Sequence, residues 1–205
     1  MKKTFLIVFI VLTVILAVSF LNLYSFLAPN KPESDASFLV VDAWVSDSSL
    51  TQAVELFKEG KYERILVPGT KMERSIFFPG IRGMDEAASV VLIYKGIPPN
   101  KIIPLYFEPV KKDRTFQSAL TVKYWLKQHT HGNVSVNLFT ESTHAQRSWL
   151  LYKKAFKDDY KVGIIASVPD DYDPEKWWKT SNGVRSVIDE TIAYLYAFLF
   201  FHPDM

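Results

Sequence analysis

His144 and Arg147 are the residues of this chain best placed to do chemistry, three apart and directly after a short apolar run in 135–156 (SVNLFTESTHAQRSWLLYKKAF). An imidazole takes up or releases a proton near neutral pH, and a guanidinium is a fixed cation shaped to grip a carboxylate or phosphate. At that spacing the two share one face of a helix. Residues 135–140 read as a buried strand, and Glu141, Ser142 and Thr143 supply the polar turn from which the helix starts. Open α/β sheets bind ligands at the C-terminal ends of their strands, and a helix N-terminus there favours negative charge. The pattern therefore predicts where an anion would sit more clearly than what happens to it.

These residues need a sheet to hold them. Strands are predicted at 37–45, 64–67, 102–107, 135–140 and 161–168, and helices at 50–61, 85–95, 115–128 and 184–201. Such alternation predicts a three-layer α/β sandwich around a mainly parallel, Rossmann-like five-stranded sheet with right-handed crossovers. All five strand-to-helix connections would then open on one edge. That edge collects Asp42 towards the end of the first strand, Gly69 and Thr70 after the second with Glu86 in the next helix, and Glu108, Arg114 and Thr115 after the third. Thr140 ends the fourth, and Ser142, His144 and Arg147 follow it.

In this reading His144 is a donor or general acid/base, Glu86 and Glu108 position it, and Arg147 holds the anion. Gly69 lets backbone approach a phosphate, while Asp42, Thr70, Arg114, Thr115, Thr140 and Ser142 line the ligand. Each residue also has an ordinary structural role open to it. His144 can cap the helix, Arg147 can pair with Glu141 or Asp171, and Glu86 can be a first-turn glutamate.

Residues 1–28 stand apart. After Lys2 and Lys3 the chain runs without a charge to Ala28, and a bilayer core of roughly 30 Å needs about 20 such residues. A transmembrane anchor is expected. The competing reading is a signal peptide cleaved at the small-x-small site of Ala17 and Ser19, but apolar sequence continues past that site. The leading lysines would keep the N-terminus in the cytosol, giving a single-pass protein of the inner or plasma membrane whose domain faces the periplasm or exterior. Residues 29–36, with Pro29 and Pro32, read as a tether, and 37–205 as one α/β domain. The apolar 192–201 stretch (IAYLYAFLFF) is too short to span a bilayer. Its expected place is against the sheet, with the membrane surface as the alternative.

Composition narrows the classes further. Hydrophobic residues make up 48% and aromatic ones 15%, as in an ordinary globular domain. The chain has no cysteine, which excludes disulfides, thiolate catalysis and cysteine zinc sites. Lys2 and Lys3 account for the whole formal net charge of +2, so the rest carries no nucleic-acid footprint. The sequence contains no GxSxG elbow, no GxxxxGK[ST] loop and no GxGxxG fingerprint, and His129-Thr130-His131 has no third ligand nearby. No cofactor and no metal are expected.

A T-x-x-x-H-x-x-R-[SA] pattern occurs as Thr140, His144, Arg147 and Ser148. With it come Pro68-Gly69-Thr70, Glu86-Ala87, Gly96-Ile97-Pro98, Glu108 followed at a distance by Thr115, and Asp189-Glu190 before an aromatic helix end. In these features residues 38–201 resemble the YdcF/SanA/ElyC family of bacterial envelope proteins. The chain departs from that family where Asp42-Ala43-Trp44 replaces a glycine-rich turn and Ser118 an asparagine. The resemblance implies a role in cell-wall precursor or polyprenyl-phosphate metabolism and in the envelope barrier, with a phosphorylated ligand or lipid-linked phosphate at the site. It also admits S-adenosylmethionine, which one family member binds, although the expected location outside the cytosol argues against that or a nucleotide. A non-catalytic scaffold for cell-wall machinery is the other class left open, favoured by the altered turn and by Trp177-Trp178.

Overall fold

A computed structural model of the chain describes residues 2–60, 62–72, 80–132 and 134–203; Lys61, the predicted end of the first helix, lies outside them. Helix α1 (Lys2–Leu27) comes first. Within it Thr4–Leu27, with an 18-residue stretch of mean hydropathy 3.0, is long and apolar enough to cross a membrane. The chain then forms β1 (Asn30–Lys31), β2 (Phe38–Val41), α2 (Asp47–Lys58), β3 (Arg64–Gly69), α3 (Met84–Tyr94) and β4 (Ile102–Tyr106). After these come α4 (Arg114–His129), β5 (Ser135–Thr140), α5 (Ala145–Phe156), β6 (Lys161–Ala166) and α6 (Ser181–Leu199), with tight 3-10 turns at Ser142–His144 and Pro174–Lys179.

The five expected strands are all present and parallel, but the sheet is six-stranded and mixed, in the order β1-β6-β5-β2-β3-β4. The extra strand comes from the segment read as a tether. Asn30 and Lys31 pair antiparallel with Ile165 and Ile164 at the free edge of β6. From β2 the chain moves one way to β3 and β4, and from β5 the other way to β6. The C-terminal ends of β2 and β5 are thus adjacent strand ends whose connections leave in opposite directions, which opens a crevice between them.

Alternation of side chains along the strands sends one set to each face of the sheet. Val40, Leu66, Val136, Leu138 and Ile164 pack with Phe116, Ala119 and Leu126 of α4 and with Leu151, Tyr152 and Phe156 of α5. Leu39, Val41, Ile65, Val67 and Phe139 pack with Leu50, Val54 and Phe57 of α2 and with Ala88 and Leu92 of α3. Helices therefore cover both faces. α6 does not take its expected place on the sheet, because α4 and α5 already fill that face; it rests on α5, α1 and the two 3-10 turns. Lys154 fastens its end by donating to the carbonyls of Ala197 and Phe201, both at 2.7 Å.

The tether is held at a second point by a buried polar residue inside β5. Asn137 Nδ2 donates to Glu33 O (3.0 Å) and to the Tyr62 hydroxyl (2.9 Å), and its Oδ1 accepts from Glu33 N (2.7 Å). A side chain on Gly163 would collide with Glu33 N, so glycine lets the segment cross β6. Asn137→Ala leaves these buried partners unpaired, and we expect a loss of about 2–4 kcal/mol in denaturant unfolding; a loss below 0.5 kcal/mol, within the usual range for a surface substitution, contradicts this anchoring.

Candidate functional site

The crevice between β2 and β5 begins with a pair of polar groups at the strand ends. Thr140 Oγ1 donates to Asp42 Oδ2 (3.1 Å), and Trp44 N donates to Asp42 Oδ1 (3.3 Å). After β5 the Ser142–His144 turn places His144 at the start of α5 and Arg147 one turn along, on the same side. α6 returns over them and contributes Glu190. Arg147 Nε donates to Glu190 Oε2 at 2.8 Å and Nη2 to Oε1 at 2.9 Å, a two-point ion pair. Burial alone would raise the Glu190 pKa, but hydrogen bonds and charge from Arg147 and His144 outweigh it and bring the carboxyl from its ordinary 4.5 down to about 2.

His144 sits between two acids. Its Nδ1 lies 3.0 Å from Glu190 Oε1 and 2.8 Å from Arg147 Nη2, while Nε2 lies 3.8 Å from Asp42 Oδ2. Nδ1 has one hydrogen-bonding role at a time. Carrying the proton, it donates to Glu190, and the neutral ring then offers a lone pair at Nε2. Without the proton it accepts from Arg147, and Nε2–H faces Asp42 at a distance too long for a hydrogen bond. Nδ1 is thus partnered in either state, and Nε2 stays open to exchange a proton with a ligand.

These groups line a cavity of about 540 Å³. Its polar wall is Asp42, Arg114, Thr140, His144, Arg147 and Glu190, and its apolar wall is Leu151, Ala193, Tyr196, Ala197 and Phe201. Among the described residues five carboxylates, those of Asp42, Asp113, Glu141, Asp189 and Glu190, line it against the two guanidiniums of Arg114 and Arg147. Glu141 is committed elsewhere: it accepts from Ser46 N (2.9 Å) and Ser49 Oγ (3.0 Å) at the start of α2. Arg147 is offset by Glu190, and its Nη1 has no hydrogen-bond partner among the described residues. Arg114 is exposed, stacked over the Trp44 ring at 4.7 Å. The start of α4 also opens here, with Asp113 in the left-handed conformation (φ 58) and no side-chain cap on the helix.

Of the residues expected at the site, the fold brings together Asp42, Arg114, Thr115, Thr140, His144 and Arg147. It leaves out five. Gly69 and Thr70 lead into α3, which covers the opposite face of the sheet, and the space that a Gly69 side chain would occupy is filled by Asp85 backbone. Glu86 reaches back over the start of α3 to accept from Arg82 N (2.6 Å). Glu108 is exposed beyond β4, the edge strand, two strands away from β2. Ser142 is buried in a hydroxyl chain, 3.1 Å from Tyr24 of α1 and 3.0 Å from Tyr172, which continues through Ser186 to Thr143. Glu190, Asp189 and Ser186 line the cavity but were not among the residues expected there. The acidic pair Asp189-Glu190 was visible as a sequence feature, but spacing does not say that α6 folds back over α5 and brings Glu190 to Arg147.

No family model matches the chain, and no curated protein matches it. Among solved structures it is similar to an alanine racemase from Clostridium difficile 630, at 15% identity with a TM-score of 0.25; the match covers 84% of this chain and 46% of that one. The chain therefore spans less than half of the racemase's length, and a likeness this loose carries no statement about fold or chemistry.

Because the Glu190 pKa is lowered in the folded state, its contribution is present above the unfolded value of 4.5 and is lost as the pH falls toward 2. A shift of that size corresponds to about 3 kcal/mol at neutral pH. Urea unfolding between pH 6 and pH 2 should therefore show a steeper loss of stability in the wild type than in Glu190→Gln, and identical slopes would mean that the pair contributes nothing.

Proposed function

We propose that this is a membrane-anchored envelope protein with a Rossmann-like three-layer α/β domain that binds the head group of an anionic amphiphile, a phosphorylated lipid-linked carrier or precursor. One observation carries the reading: the cavity has a charged wall and an apolar wall, and it is built on the helices that contact α1. In an amphiphile the same two characters are joined in one molecule. Arg114, Nη1 of Arg147 and the open start of α4 would meet the anionic group. The surplus carboxylates Asp42 and Asp189 would accept hydrogens from hydroxyls, which favours a head that carries sugar as well as phosphate. The resemblance to the YdcF/SanA/ElyC family supports a place in cell-wall precursor or polyprenyl-phosphate metabolism, with the domain on the outer side of an inner or plasma membrane.

Arg147 does more here than hold an anion. Its charge is already balanced by Glu190, so it orients His144 and closes the cavity as much as it attracts an anion. If a bond is broken or made at the phosphate, His144 Nε2 is the atom that would move the proton, with Asp42 within reach to stabilise the imidazolium.

Thermal unfolding of the full chain in nanodiscs, with polyprenyl phosphate, a glycosylated polyprenyl phosphate and an uncharged polyprenol, tests the reading. A ligand at a hundred times its Kd adds about 2.7 kcal/mol, a Tm rise of about 5–10 °C for a domain of this size. The rise is expected with the two phosphates alone and should shrink in Arg114→Ala, whose side chain is exposed and whose loss leaves the ion pair intact. An equal rise with polyprenol, or none with any of the three, would count against an anion site.

A further inference from the structure

Helix α6 has a side that the cavity does not use. Ser186, Glu190, Ala193 and Ala197 turn toward the cavity, and Val187 and Tyr194 pack beside α1. On the remaining side Val184, Ile188, Ile192, Leu195 and Leu199 recur every three or four residues as one stripe. All five are exposed, Ile192 to 63%. Monomeric soluble proteins rarely leave so long an apolar stripe uncovered.

Its position beside α1 indicates what covers it. At 1.5 Å per residue, about 20 residues cross a bilayer core of about 30 Å, so a span counted from Thr4 ends near Leu23. Phe20 lies a turn inside that boundary, and its ring is 4.7 Å from Trp177 and 5.6 Å from Trp178. The turn leading into α6 is thereby placed at the headgroup layer, where indole rings concentrate. α6 then crosses α1: Val187 packs with Leu27, and Tyr194 meets Phe26 at 5.2 Å between ring centres. About 10 Å of α6 therefore passes beside a single turn of α1, so α6 runs closer to the plane of the bilayer than to its normal. Lys179 and Arg185 are exposed at its start, where lipid phosphates would lie, while Lys176 is 3.8 Å from Asp173.

We infer that α6 is an interfacial helix whose stripe of Val184, Ile188, Ile192, Leu195 and Leu199 rests in the boundary between headgroups and acyl chains of the bilayer that α1 crosses. The inference rests on reading α1 as a membrane span. Since the cavity lies on the other side of the same helix, the polar groups of His144, Arg147 and Glu190 stand just above the lipid surface. A lipid head group then has only the thickness of one helix to travel.

The natural absence of cysteine lets single cysteines report one position each. The full chain carrying Ile188→Cys, Ile192→Cys, Leu12→Cys or Tyr94→Cys is labelled with a nitroxide in vesicles of phosphatidylethanolamine and phosphatidylglycerol. Collisions are then measured with oxygen, which concentrates in lipid, and with a water-soluble nickel chelate. Tyr94, 90% exposed on α3, serves as the aqueous control, and Leu12 reports on α1. Oxygen is expected to dominate at Leu12, Ile188 and Ile192, and nickel at Tyr94. Nickel dominating at Ile188 and Ile192 while oxygen dominates at Leu12 overturns the interfacial helix and leaves the anchor standing. Nickel dominating at Leu12 overturns the anchor and this inference with it. Shielding of Ile192 from both reagents, with dipolar broadening between labels, assigns the stripe to a second copy of the chain and likewise overturns it.

Discussion

The Arg147–Glu190 ion pair is the interaction on which the site depends. It joins α5, which leaves the sheet at the crevice, to α6, which has no strand to rest on. Both side chains are about four-fifths buried, so neither charge can lose its partner without a cost that solvent would otherwise cover. The pair closes one wall of the cavity, holds His144 between two carboxylates, and neutralises the cation that otherwise looks ready for an anion. Position, proton control and charge balance thus follow from one contact.

The same helix connects the site to α1. α1 is seated against the domain by Phe20, Leu23, Tyr24, Phe26 and Leu27, and Leu27 is fully buried. With Tyr24 bonded to Ser142, two residues before His144, the apolar helix and the candidate site share a hydrogen-bonded chain of hydroxyls. The segment that follows α1 is clamped by β1 and Asn137 and does not behave as a loose spacer. A helix fixed in this way holds one orientation to the domain, which a flexible tether cannot impose.

Much of the frame was legible in the chain itself. Short β-branched runs separated by amphipathic helices announce parallel strands, and periodicity placed β5 and the start of α5 within a residue or two, because both patterns are local. The apolar length of α1 and the His144–Arg147 spacing are local as well. Asp42, Arg114, Thr115 and Thr140 could be assigned to the site because a parallel sheet brings all strand ends to one edge whatever the side chains are.

What tertiary structure alone decided is which residues at that edge meet. Gly69, Thr70, Glu86 and Glu108 have the right chemistry on the right edge, yet α3 and the edge position of β4 carry them away from the crevice. Ser142 is next to the site in sequence and turned into a hydroxyl chain. Glu190 is far away in sequence and becomes the partner of Arg147. The physical reason is range: helix and strand periodicity follows from neighbours a few residues apart, whereas the path of α6 depends on which faces α4 and α5 have already covered. A tether segment became an edge strand for the same reason, since β6 offered unpaired backbone groups that no local pattern records.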